Sequence, residues 1–96
     1  MQKEKKNELL MFSTQIENNN CNTKYSNNEI YVAAQNAKKV ISSINFNDRV
    51  KSNELILELD KTLEKLSKKI LDNPDMSTSS FRNSITLILY KLSELE

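Results

Sequence analysis

Large apolar residues recur along the chain at spacings of three and four, which is the period of one face of an α-helix. The clearest series lies in the third quarter of the chain and consists of Ile56, Leu59, Leu63, Leu66 and Ile70. Alternation of these two spacings is typical of near-parallel helix packing in bundles. The short apolar runs that resemble strands extend into longer helical patterns. The pattern therefore predicts an all-α protein.

We predict helices over residues 3–17, 27–44, 50–72 and 77–95, packed as an antiparallel four-helix bundle that forms a single domain over residues 1–96. Asparagine is frequent in the breaks between them, and the chain contains no glycine. Asparagine is the next choice after glycine for the left-handed conformation that ends many helices. We therefore expect left-handed helix ends at Asn18–Asn20, at Asn45 with Asn47, and at Asn73.

Two helix starts carry recognisable capping patterns. Ser26 and Glu29 have the spacing of a capping box, in which each side chain satisfies a free backbone N–H group. Met76 and Phe81 have the spacing of a hydrophobic staple around a helix that starts at Ser77. These residues predict the starts of the second and fourth helices.

The fourth predicted helix carries more apolar residues than one face can hold. Leu87, Leu89 and Tyr90 lie outside its main apolar stripe. A helix that is apolar nearly all round is either central in its bundle or contacts a partner. We take these residues as candidate partner-binding residues, with burial in the core as the competing interpretation.

The third predicted helix carries a cluster of lysines at spacings of three and four, formed by Lys61, Lys65, Lys68 and Lys69. We call these residues the lysine flank. Such a flank suits an anionic membrane surface or an acidic partner. A solvated helix face is the simpler explanation. We expect Lys38 and Lys39 of the second helix to lie near it.

The composition argues against an enzyme and against a nucleic-acid-binding protein. The chain has no histidine, which is the commonest general base near neutral pH, and without glycine it lacks phosphate-binding loops and nucleophile elbows. We expect no enzymatic activity, no cofactor and no metal site. The net charge of +1 argues against nucleic-acid binding. No apolar stretch is long enough to span a membrane, and the single cysteine, Cys21, suits a reducing cytosol as a solvated loop thiol.

Three segments resemble the immunity proteins for small unmodified bacteriocins, namely the lactococcin A group and, more broadly, the pediocin-like (enterocin A) group. They are Ala33–Ile41, Leu55–Leu66 and Ile85–Leu92. The resemblance implies self-protection of a Gram-positive bacterium against a pore-forming peptide. Specificity in this family tends to lie in the C-terminal half, which here corresponds to Asn73–Glu96.

The resemblance also implies a partner and a location. Proteins of this family act from the cytoplasmic side on a membrane-embedded receptor, the mannose phosphotransferase system, with its bound bacteriocin, so that no pore opens. It thus implies a cytoplasmic protein with peripheral membrane contact. We expect the chain to be a monomer or weak dimer.

Two other function classes remain open from the residues. One is a small helical regulator or inhibitor, of phage or plasmid type, that binds one cytosolic protein. The other is a DNA-binding helix-turn-helix regulator, against which the lack of a basic recognition helix counts.

Overall fold

The computed structural model describes residues 1–96 and contains four α-helices and no strand. The helices are α1 (Lys3–Glu17), α2 (Lys24–Ser42), α3 (Arg49–Asp72) and α4 (Ser79–Glu94). Helix α1 packs against α2 and α4, and α3 packs against the same two helices, so α1 and α3 occupy opposite corners. Short connections make neighbouring helices antiparallel. The predicted all-α, antiparallel four-helix bundle is confirmed.

The molecule is elongated along the bundle, with dimensions of 39 × 22 × 18 Å. All four helices contribute to one apolar core. On α3, Leu55, Leu59, Leu63 and Leu66 are buried, whereas Ile56 and Ile70 are only partly buried. On α2, Ala33, Ala34 and Ala37 are buried. Their small side chains allow neighbouring helices to approach closely.

Helix α2 begins one turn before the predicted capping box. Thr23 is the N-cap: its hydroxyl accepts a hydrogen bond from the Ser26 N–H at 3.0 Å. The Ser26 hydroxyl in turn accepts one from the Thr23 N–H at 3.0 Å. The prediction that Ser26 is the N-cap was therefore wrong. Thr23 supplies an equivalent hydroxyl one turn earlier, which places Ser26 inside the helix.

Helix α4 begins at Ser79 rather than at Ser77, so the predicted start was early. Thr78 is the N-cap, but its side chain makes no capping hydrogen bond to the helix. Its hydroxyl instead donates a hydrogen bond of 2.7 Å to the Asn27 side-chain carbonyl. A long-range contact therefore takes the group that would otherwise cap α4.

The helices do not end on left-handed asparagines. Asn18 has φ −82° and Asn73 has φ −148°, and α2 ends at Ser42 before the predicted asparagines are reached. The only non-glycine residue with positive φ is Cys21, at 50°. The prediction of left-handed asparagine ends was wrong. At Asn18 the backbone N–H bonds back to the last helical turn and completes the helix without a left-handed residue.

The α1–α2 and α3–α4 loops are joined by a buried polar contact that we call the loop clamp, made by Cys21, Asn27 and Thr78. The Asn27 amide group donates to the carbonyls of Pro74 and Met76, both at 2.8 Å. The Thr78 N–H donates to the Cys21 carbonyl at 2.8 Å. Asn27 and Thr78 are completely buried. The clamp fixes both loops at one end of the bundle.

The loop clamp also carries Cys21 into the core. Its side chain is 4% exposed, so the expectation of a solvated loop thiol was wrong. The Asn19 side chain accepts a hydrogen bond of 2.7 Å from the Cys21 N–H, a local asparagine turn that helps hold the left-handed backbone. The loop therefore folds inward although its sequence is polar.

Candidate binding surfaces

The lysine flank lies on the exposed part of α3. Lys61, Lys65, Lys68 and Lys69 are all exposed. Lys68 forms an ion pair with Glu64 at 3.3 Å, and no carboxylate lies within 4.0 Å of the other lysine amino groups. Most of the positive charge on this flank is therefore available to a partner.

The second helix does not enlarge the lysine flank. Lys38 forms an ion pair with Asp60 of α3, and both side chains are partly exposed. Lys38 thus contacts the residue that precedes Lys61 of the flank, and the Asp60 carboxylate neutralises its charge. Lys39 is exposed and forms no ion pair.

The structure separates the candidate residues of α4 into two groups. Leu87 is 52% exposed and Tyr90 is 51% exposed, whereas Leu89 is completely buried. Leu89 is therefore a core residue and is not available to a partner. It lies four residues after Ile85 and three before Leu92, both of which are buried, and so belongs to the apolar stripe of α4.

Tyr90 stands between two grooves on the outside of α4. With Leu87 it lines a groove of about 430 Å³ between α1 and α4. On its other side is a groove of about 500 Å³ between α3 and α4, whose lining includes Glu54, Glu58 and Lys51. Neither groove is lined by a residue of the lysine flank.

The lysine flank and Tyr90 consequently lie at different heights on one side of the bundle. Antiparallel packing places the C-terminal half of α3, which carries the flank, beside the N-terminal half of α4. Tyr90 belongs to the C-terminal half of α4 and lies beside Glu54 and Glu58. A partner that contacts both surfaces must extend along the bundle.

A further apolar groove lies between α1 and α2, and the sequence analysis did not single it out. It has a volume of about 310 Å³ and is lined by Phe12, Val32, Ala33 and Tyr25 among others. Tyr25 is 76% exposed and Val32 is 56% exposed. The sequence carries a weak indication, since Val32 is a large apolar residue outside the apolar stripe of α2.

One carboxylate sets the electrostatics of this groove. Tyr25 and Glu29 lie one turn apart on α2, and both residues line the groove. Hydrogen bonding to the Glu29 carboxylate, followed by its negative charge, raises the pKa of Tyr25 above its ordinary value of 10.0. Both effects favour the protonated phenol.

The structure contains no group of three or more histidine, cysteine, aspartate or glutamate residues arranged to hold a metal ion. None of its helices combines the length and apolar character needed to cross a membrane.

Comparisons with protein-family models, with curated proteins and with solved structures found no match to this chain. The fold and the exposed surfaces therefore carry the functional argument.

Proposed function

We propose that this chain is a bacteriocin immunity protein. It protects the producing cell by binding, from the cytoplasmic side, a membrane receptor that holds the bacteriocin. The resemblance of Ala33–Ile41, Leu55–Leu66 and Ile85–Leu92 to immunity proteins suggests this function. The observation that best supports it is an α3–α4 side with two distinct exposed surfaces, one cationic and one apolar.

The two surfaces suit the two environments that such a receptor presents. The cytoplasmic leaflet is anionic, and each lysine near it contributes about 1 kcal/mol of attraction. The lysine flank, with Lys61, Lys65 and Lys69 unpaired, has the charge to orient the bundle against that leaflet. Leu87 and Tyr90, at another height on the same side, offer apolar contact area to the receptor protein.

Binding alone is sufficient for this function. A protein that holds the receptor–bacteriocin complex in a closed state needs a rigid surface and no catalytic group. The mannose phosphotransferase system is the receptor that the resemblance implies. The continuous core and the loop clamp supply the rigidity.

The test is expression of the chain in a bacteriocin-sensitive strain, followed by challenge with a panel of class II bacteriocins. We expect survival against at least one of them. Lys65→Glu combined with Lys69→Glu, and separately Tyr90→Ala, should reduce survival without reducing the amount of folded protein. Tyr90→Phe retains the ring and should retain protection. Lys39→Glu on α2 is the matched charge control and should have no effect.

Unchanged sensitivity to every bacteriocin of the panel would contradict the proposal. The alternative is then a small helical regulator or inhibitor that binds one cytosolic protein. The half-exposed Leu87 and Tyr90 favour this alternative as well, since their apolar surface is complementary to a protein and needs no membrane. Co-purification of one stoichiometric partner that is lost on Tyr90→Ala would support it.

A further inference from the structure

We propose that the groove between α1 and α2 is a second binding surface, which takes a basic amphipathic helix of a partner protein. This inference is independent of the proposed immunity function. The helices follow the order α1, α2, α3, α4 around the bundle, since α1 and α3 are not in contact. The groove between α1 and α2 therefore lies on the side opposite the one formed by α3 and α4.

Exposed apolar side chains border the groove. Tyr25 and Val32 are more than half exposed, and Phe12 and Ala33 line the groove beside them. Clustered exposed apolar residues mark interaction sites more often than scattered ones. The cluster therefore points to a partner with an apolar face.

The charge of the groove selects the kind of partner. Glu29 is its only charged lining residue, and no lysine or arginine lines it, although the chain as a whole has 14 basic and 13 acidic residues. Two aromatic side chains, Phe12 and Tyr25, share the groove with Glu29. Aromatic rings and a carboxylate both attract ammonium and guanidinium groups. A lysine or arginine beside an apolar residue is thus the complementary ligand.

The two grooves beside Tyr90 are less suited to a cation. The α3–α4 groove is lined by Glu54, Glu58 and Glu94 but also by Lys51 and Lys91, so that charges of both signs face a partner. The α1–α4 groove has Glu17 as its only charged residue and one aromatic ring, that of Tyr90. Of the three grooves, only the one between α1 and α2 combines a carboxylate with two aromatic rings and no basic residue, which favours it as the site for a basic segment.

The groove follows α2 over several turns and α1 over one turn. On α2 its lining extends from Tyr25 to Asn36, which corresponds to about 16 Å of helix at 1.5 Å per residue, and on α1 it extends from Phe12 to Gln15. Amphipathic helices bind such grooves by residues spaced three and four apart. The amides of Gln15 and Asn36 also line the groove and offer hydrogen bonds to polar groups of the partner.

The experiment uses a designed peptide as the probe. The peptide is an amphipathic helix of leucine and lysine with one tryptophan on its apolar face, and its counterpart has glutamate in place of lysine. Because the chain contains no tryptophan, the peptide fluorescence reports binding directly. We expect the lysine peptide to bind and the glutamate peptide not to bind.

Substitutions then locate the site. Tyr25→Ala and Glu29→Gln should each weaken binding of the lysine peptide about three- to tenfold. Both positions are exposed, so circular dichroism and thermal unfolding should remain as in the wild type. Tyr90→Ala and Glu58→Gln are the matched controls on the opposite side and should leave the affinity unchanged.

Three results would overturn the proposal. The first is equal binding, or no binding, of the two peptides. The second is weakening by Tyr90→Ala or Glu58→Gln in place of the α1–α2 substitutions. The third is a concentration-dependent dimer in sedimentation that Tyr25→Ala abolishes, since a second copy would then occupy the groove. The survival assay has no bearing on these outcomes, because the peptide experiment uses purified protein.

Discussion

Replacement of Asn27 by alanine tests whether the loop clamp holds the bundle together. The Asn27 side chain makes three hydrogen bonds between distant segments, to Pro74, Met76 and Thr78. At about 1 kcal/mol net for each bond, their loss costs about 3 kcal/mol. Alanine is a better helix former than asparagine, which offsets this loss of stability by about 0.5 kcal/mol. The Thr78 hydroxyl keeps the Cys21 carbonyl at 3.3 Å as an acceptor, so it is not left without a partner.

We therefore expect Asn27→Ala to lower the free energy of unfolding by about 2–3 kcal/mol, a large part of the 5–15 kcal/mol typical of a domain. Asn28→Ala is the matched control, because Asn28 is the next residue of α2 and is exposed. It should leave the stability unchanged or raise it by about 0.5 kcal/mol.

Urea unfolding followed by circular dichroism at 222 nm measures both variants. The urea concentration at the unfolding midpoint should fall for Asn27→Ala. The slope of the unfolding free energy against urea concentration should stay constant, as expected when the stability changes and the unfolded state does not. Equal stabilities of the two variants, within about 0.5 kcal/mol, would refute the reasoning. The loop clamp would then contribute nothing beyond what water supplies to the same groups.

Three further predictions follow from the core, the thiol and the α1–α2 groove. Leu63→Asp puts an unpaired charge in the core and should cost several kcal/mol in thermal unfolding, whereas Lys65→Asp on the exposed surface should cost about 1 kcal/mol or less. Cys21 should react with a thiol reagent at least about a hundredfold more slowly in the native than in the urea-unfolded protein; equal rates would show an open loop. The pKa of Tyr25 is raised by Glu29 in the folded protein, so their interaction favours the folded state below about pH 10 and is lost as the pH rises through the raised pKa. Glu29→Gln should therefore lower the pKa of Tyr25 in an ultraviolet titration, and an unchanged pKa would contradict the interaction of Tyr25 with the Glu29 carboxylate.

The helices could be predicted because their apolar spacing is local information. The burial of Leu59, Leu63 and Leu66 follows from the spacing alone. Helix starts were predicted less well. Thr23 and Ser26 both carry a hydroxyl suited to a cap, and local pattern does not distinguish between them. The structure uses Thr23 as the cap and buries Ser26, a result that depends on how α2 meets the other loops.

Some features of the candidate binding surfaces could be predicted from the sequence, and others could not. Exposure of the lysine flank was predictable, because a charged stripe opposite an apolar stripe faces solvent. Leu89 lies four residues after Ile85 and three before Leu92, so helical spacing places it on the buried stripe of α4, whereas Leu87 lies off that stripe. The prediction that grouped Leu89 with Leu87 overlooked this spacing. The groove at Tyr25, by contrast, is formed only when α1 and α2 come together.

The sequence by itself determined the helix number, the all-α class and the faces that carry charge, since each depends on residues within a few turns of one another. Only the tertiary structure decided the loop clamp, the burial of Cys21 and the grooves on the surface. The loop clamp, for example, joins Asn27 and Thr78, which are 51 positions apart. Their polar groups can bond equally well to water until packing excludes the water. The local sequence therefore does not predict this contact.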